Sequence, residues 1–358
     1  MKNLKTQGFI LLDVDVVALN NAGKDDSSNL DNGVATKQIR KNGETYTYVS
    51  GQAWRYWWRN TLQKDFNWDM SPISRESKIA FTAANPIIFA DDDVFGYMRA
   101  AKEDVVNDKG KVEKTDVTVT RLSPLKNSAI ISVTSGKPKS NWSSMSRQEG
   151  DAVPYTKQEY SAIMKGMFSL DLEQVGTFSS YNRTGFKNLS EKLRKEAVGT
   201  EGSIEIADEH IKNGKGEPHK LVRLNSETRT QRIADTLAAL KTITGGAMQT
   251  NNMGDVTPKL IILATMISGN HPFSHVAIND SDSGQTFILN TEGLKEVLSD
   301  YAAQFKGKVF IGVRSGFLSP ESTKRLESVA SEFKDTVELT TINQAIDKYI
   351  VQVKTQIS

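Results

Sequence analysis

The chain of 358 residues contains no cysteine. That single absence excludes disulfides, thiolate zinc sites and a cysteine nucleophile, and it fits a reducing, cytoplasmic compartment. Histidine is scarce: His210, His219, His271 and His275 are the only four. The last two stand at i, i+4, but Pro272 between them spoils a helix, so solvated loop histidines and no metal are expected. No run of about 18 apolar residues exists, so nothing is expected to span a membrane. The opening MKNLKTQGFILLDVDVV does not read as a secretory signal: Asp13 and Asp15 interrupt it and no small-residue cleavage site follows. G-x-S-x-G, H-E-x-x-H and Ser/His/Asp patterns are missing, so neither an enzyme nor a cofactor is indicated.

With 38% hydrophobic and 25% charged residues the chain can bury a substantial core. GFILLDVDVVAL, residues 8–19, reads as a strand with Leu12, Val14 and Val16 on one face. A polar loop follows, then the strand TYTYVS and a helix over 51–64 capped by Ser50. Residues 81–165 loosen into short apolar runs between Ser- and Lys-rich stretches, which reads as an insertion with mobile loops. MKGMFSLDLEQVGTF (164–178) is strand-like, and 199–224 reads as a hairpin turning at NGKG, 213–216. A helix over 228–242, an apolar strand KLIILATMI, a helix over 292–305, a strand KVFIGVR and two amphipathic helices complete the chain. The order suggests a split βαβ core with material projecting from it.

The formal net charge is only +2, so any polyanion partner must be met locally. Between Lys37 and Lys64, six basic residues face one acid, Glu44. In SGQAWRYWWRN (50–60), Trp54, Trp57, Trp58 and Leu62 form one helical stripe, and Gln52, Arg55 and Arg59 another. The tryptophans read as core, with a nucleotide-stacking platform as the alternative. The arginines lie off that stripe, and with the amides at Ser50 and Gly51 they make a coherent phosphate site, though not a specific one. The loop from 20 to 41 mixes Lys24, Lys37, Arg40 and Lys41 with Asp25, Asp26 and Asp31. Those acids are either solvated or placed to hold magnesium beside a phosphodiester. Asp91-Asp92-Asp93 reads as a loop start or N-cap, since adjacent residues diverge. TGGAMQTNNMGDVTP (244–258) sets three glycines between helix and strand, either as a C-cap and turn or for close approach of a backbone.

Taken in order, GFILLDVDVVALNNAG, SGQAWRYWWRNTL, DDDVFGYM, RLSPLKNSAIIS, LDLEQVGTF and RIADTLAAL with TGGAMQTNNMGDVTP resemble the backbone subunit of type I CRISPR interference complexes (Cascade), the DevR branch of the RAMP superfamily. The resemblance implies an α+β fold: an RNA-recognition-motif-like (ferredoxin-like) palm in 1–80, 166–175 and 228–358, a finger insertion in 81–165 and a thumb hairpin region in 176–227. It implies a non-catalytic protein that oligomerises along CRISPR guide RNA. The palm would grip the sugar–phosphate backbone whatever the sequence and present the guide to a target DNA strand. Implied partners are further copies of itself, a large subunit, a guide 5′-end-capping subunit and a guide-processing endonuclease. Implied RNA contacts are Lys24, Arg40, Ser50, Gly51, Gln52, Arg55, Arg59, Arg121, Gly245, Gly246, Ala247 and Gln249, with Ile211 and Leu221 as thumb wedges. The alternative is a type III-like subunit that cuts target RNA with Asp25, Asp26 or Asp31.

Overall fold

A computed structural model describes residues 3–25, 32–76, 79–106, 112–147, 149–183, 185–279 and 287–357. Strand β1 (Lys5–Val17) is apolar on both faces and therefore central. Ile10, Leu12 and Val14 enter one core, and Phe9 and Leu11 enter the other. Val16 departs from the expected shared face. A bulge between Val14 and Val17 breaks the register, and Val16 takes φ 47° and turns outward.

Beyond β1 come β2 (Asn21–Lys24), β3 (Val34–Thr36), β4 (Gln38–Lys41) and β5 (Glu44–Val49). Helix α1 (Gly51–Asp65) starts where expected, with Ser50 as its cap. A short helix α2 (Ala90–Phe95) precedes β6 (Ile130–Ser132), β7 (Lys139–Met145) and the long β8 (Val153–Asp171). Then follow α3 (Ser226–Ala238), β9 (Leu260–Met266), α4 (Thr291–Asp300), β10 (Val309–Val313), α5 (Pro320–Glu332), β11 (Val337–Thr340) and α6 (Ile342–Ile357). No helix among the described residues is long and apolar enough to cross a membrane.

The chain is α+β, built on one large, mostly antiparallel sheet whose main path runs β11-β10-β9-β1-β8-β6-β5-β4. Helices cover it on two sides. On one, α1, α3 and α6 bury Trp54, Trp57, Trp58, Ile233, Leu237 and Tyr349. On the other, α4 and α5 bury Leu294, Leu298, Leu326 and Val329. The tryptophan stripe is core, as the spacing requires. Trp54 and Trp58 stack at 5.6 Å and meet the edge of Phe168 at 6.3 and 5.2 Å. Such aromatic pairs add about 0.5–1.5 kcal/mol beyond the area they bury.

A satellite three-stranded sheet combines Thr177–Ser179 with the hairpin Ile204–Lys212 and Pro218–Arg223. Its turn is locked by Asn213 and Glu217, whose backbones bond at 2.8 Å. A second hairpin joins Tyr97–Val106 to Val112–Arg121. Residue 165, where the sequence pattern changes, falls inside β8, and β6 lies within the main sheet.

Candidate nucleic-acid interface

Three segments distant in sequence meet where β1 ends. The Ser50 amide donates to Asn20 Oδ1 at 2.8 Å, and the Ser50 hydroxyl accepts from the Ala53 amide at 3.3 Å. Among the described residues, the Gly51 and Gln52 amides have no backbone partner outside the helix, as expected for a helix start. The glycine-rich loop closes over the same place. A Cβ on Gly245 would come within 2.1 Å of Trp57 Cγ, so only glycine lets the loop seat there. Gly246 has φ +111°, and the Ala247 amide donates to Leu19 O at 3.0 Å. Gln249 Nε2 donates to the carbonyls of Gly245 and Gly254, holding the loop in shape. Met248 and Met253 both adopt left-handed backbone, and Met253 is 89% exposed. Ser50, Gly51, Gln52, Gly245, Gly246, Ala247 and Gln249 are thus brought to one junction.

Asn252 fastens this loop to the sheet. Its Nδ2 donates to Val16 O and to Glu159 Oε1, each at 2.9 Å. Glu159 pairs with Lys157 at 2.7 Å and accepts from Asn141 Nδ2 at 2.8 Å. Burial alone would raise the Glu159 pKa. The bonds from Lys157, Asn141 and Asn252 outweigh it and hold the carboxyl below its ordinary range.

A row of lysines adjoins the junction. Register pairs Lys24 with Val34, Val34 with Lys157 and Lys157 with Asn141, so Lys24 and Lys157 share a sheet face. Lys137 and Lys139 are exposed and border a cleft of about 330 Å³ between β7, β8 and the end of β1. Arg40 is exposed on β4 opposite Thr45, whose carbonyl accepts from the Gly136 amide, so its strand abuts the loop that carries Lys137. Sequence reasoning missed Lys137, Lys139 and Lys157. The available signal was the acid-free run from 133 to 148, within a stretch that reads as a mobile insertion.

Several expected contacts lie elsewhere. Arg55 is spent inside the protein: Nη1 donates to Leu125 O (2.7 Å) and Asn127 Oδ1 (3.1 Å), and Nη2 to Phe95 O (2.7 Å) and Ser123 Oγ (2.8 Å). Burial first, and Arg59 second, lower its pKa to about 10. Arg59 is half-buried with its guanidinium over Phe95 at 4.9 Å. Arg121 is 4% exposed and pairs with Asp93. It also donates to the carbonyls of Asp93, Thr177 and Gln174 and lies over Phe178. Its internal partners leave it fixed in the frame, away from the junction.

The aspartate triplet is the first turn of a helix, as an N-cap-like reading suggests, but it is buried. Asp93 holds both Arg121 and Arg232, the latter at 2.7 Å, and accepts from the Gly176 amide at 2.9 Å. Leu221 sits buried on the central strand of the satellite sheet and Ile211 half-buried on the neighbouring strand, and both border one cleft. Asp25 is 2% exposed and accepts from Ser140 Oγ at 2.8 Å, while Asp26 and Asp31 lie outside the described residues. His271 departs from the solvated expectation: its Nε2 lies 2.8 Å from Gly8 O, and burial lowers its pKa. No cluster of His, Asp and Glu suited to a metal occurs among the described residues.

Residues 12–282 match the family described as CRISPR-associated negative auto-regulator DevR/Csa2. The chain belongs to the DevR/Csa2 family. Both the end of β1 and the glycine loop of this DevR/Csa2 protein fall within the matched span. A chain of a solved "CRISPR RNA-guided surveillance complex, pre-nicking" shares its fold, with TM-score 0.55 at 10% identity, covering 98% of this chain and 100% of that one. A chain of a second CRISPR RNA-guided surveillance complex aligns with TM-score 0.46 at 10% identity, covering 92% of this chain and 100% of that one. Curated protein sequences give no match.

Proposed function

We propose that this DevR/Csa2-family chain is a non-catalytic backbone subunit of a type I CRISPR interference complex that binds guide RNA through its sugar–phosphate chain. Family membership carries the reading. The palm is RNA-recognition-motif-like. In support, its core strands run β9-β1-β8-β6, with α1 between β1 and β6 and α3 between β8 and β9, the interleaved βαβ pattern of ferredoxin-like folds. The 97–121 hairpin belongs to the finger region, and the 177–223 sheet is the thumb.

The chemistry of the junction fits the task. A protein that holds any guide must read backbone and leave base edges free for target DNA. The amides at the start of α1, the close-packed glycine loop and the exposed lysines can all meet phosphate and ribose without base selection. Further copies of the chain continue the track, and a large subunit, a 5′-end-capping subunit and a processing endonuclease complete the assembly. Co-expression with a CRISPR array tests this. The purified protein should carry RNA of guide length, seen as an absorbance ratio shifted toward 260 nm. A nucleic-acid-free protein under those conditions would overturn the reading. Magnesium-dependent cutting of RNA complementary to the guide, lost in Asp25→Ala, would replace it with the type III-like alternative.

A further inference from the structure

We infer that Asn252 is a positioning residue for RNA binding: it makes no contact with the strand and fixes the glycine loop against the lysine-bearing hairpin, so that both meet one strand together. The inference rests on the RNA-binding reading above and adds to it a residue on which the grip depends. The loop has little else to hold it. No residue from 244 to 255 is buried, so beyond the seat of Gly245 on Trp57 apolar packing contributes little. Its single turn, Gln249–Asn252, lies between Met248 at φ 55° and Met253 at φ 46°, two non-glycine residues in left-handed backbone. Such conformations persist only where their surroundings enforce them. Gln249 bonds within the loop, to the carbonyls of Gly245 and Gly254. Among the described residues, every side-chain hydrogen bond from 246–254 to the sheet runs through Asn252.

Asn252 uses both ends of its amide. Nδ2 donates to Val16 O and to Glu159 Oε1, each at 2.9 Å, and Oδ1 accepts from Lys157 Nζ at 3.5 Å. The first bond reaches the end of β1, where Val16 stands at φ 47° with its amide held by Ser161 Oγ at 3.0 Å. An outlier of that kind in a β-branched residue needs restraint on both of its peptide groups, and Asn252 supplies one of them. The other two bonds reach the Glu159–Lys157 ion pair of β8, which Asn141 ties to β7. That hairpin carries Lys139 at its base, with Lys137 just before it. Loop and lysines are therefore joined through one side chain. Ordering a free loop during binding costs entropy that a loop already in place has lost on folding, so the latch contributes to affinity without touching RNA.

The test is a double-mutant cycle on the full chain, with guide-length RNA of random sequence as the probe and melting recorded beside the dissociation constant. Asn252→Asp sets a second carboxylate against Glu159, and binding should weaken about tenfold, the scale of coupling within one hydrogen-bond network. Glu159→Gln in the same chain supplies an amide that donates to the new carboxylate, and Lys157 then pairs with that carboxylate. Binding should return to within about threefold of wild type, a rescue that a general loss of folding would not show. Hydrogen exchange of residues 246–253 should rise in the single variant and fall back in the double one. A folded Asn252→Asp that binds like wild type, or a double variant no better than the single one, refutes the positioning role and leaves the RNA reading standing. A wild-type chain that binds no RNA overturns both. Should Asn252→Asp fail to fold, Asn252→Ala removes the same bonds without adding charge and should lose affinity in the same way; wild-type affinity in that folded variant refutes the role.

Discussion

Replacing Asp93 by asparagine keeps the shape of the side chain and removes one charge. Its carboxylate is fully buried between two buried guanidinium groups, Arg121 and Arg232, and also caps the Gly176 amide. Without it, two cations remain in the interior with carbonyl oxygens as their chief compensation: Gln174 and Thr177 for Arg121, Pro86 and Ile87 for Arg232. Breaking a buried pair in this way costs about 3–5 kcal/mol. Against a total stability on the order of 5–15 kcal/mol, that is a large share. Urea unfolding followed by tryptophan fluorescence reports it directly, because four of the five tryptophans are buried. Asp93→Asn should unfold at markedly lower urea, and its folded fraction at low urea should bind RNA with the wild-type salt dependence. A wild-type midpoint would refute the role of the buried hub. Normal stability with impaired RNA binding would return Arg121 to the interface.

Gly245→Val sets a branched side chain against Trp57, so it should cost about 1–3 kcal/mol in melting experiments and weaken RNA binding equally for all guide sequences; a variant that melts like wild type would show that the loop does not seat on Trp57. Lys137→Ala with Lys139→Ala should leave folding intact and flatten the salt slope of RNA binding by about 0.7 for each phosphate no longer neutralised; an unchanged slope removes both lysines from the track. Because the Glu159 pKa is depressed on folding, its stabilisation is present above the ordinary carboxylate pKa and is lost as pH falls through the folded value. The melting difference between wild type and Glu159→Gln should therefore be full at neutral pH and close in acid, and a gap independent of pH would contradict the ionised latch.

Elements written in local pattern were legible in the sequence. The Ser50 cap and the i, i+3, i+4 tryptophans specify α1 with its buried face, and the NGKG turn between alternating runs specifies the satellite hairpin. The glycine loop was legible as a close-approach device, although the object approached is Trp57 and Leu19 of the chain itself. What local pattern does not carry is the partner of a polar side chain. Arg55 finds its acceptors 40 to 72 positions away, and Arg232 reaches back 139 positions to Asp93. Nothing near either arginine announces those bonds. The extent of β8 was hidden for the same reason, since its first half pairs with β7 as a polar projecting hairpin and its second half enters the apolar core.

Four buried or half-buried arginines hold the frame. Arg55, Arg121, Arg229 and Arg232 each bond two or more carbonyl oxygens at once; Arg229, for example, donates to Val175 O and Leu172 O at 2.9 Å each. A planar fork of five donors, weakly hydrated, suits that internal stitching better than an ammonium does. Together these arginines tie α1, α2, α3 and the 172–177 turn into one frame. Lysine, a strongly hydrated point charge on a flexible stem, supplies the solvent-facing row of Lys24, Lys137 and Lys139 beside the exposed Arg40, while Lys165 turns inward to the carbonyls of Ser274 and Ala277. Counting both residues as one positive charge directs attention to the α1 arginines, of which Arg55 is spent on Leu125, Asn127, Phe95 and Ser123. In the function proposed above, the RNA track is met by the lysine face across the end of β1, which a low net charge permits, because such a track needs only cations that face solvent.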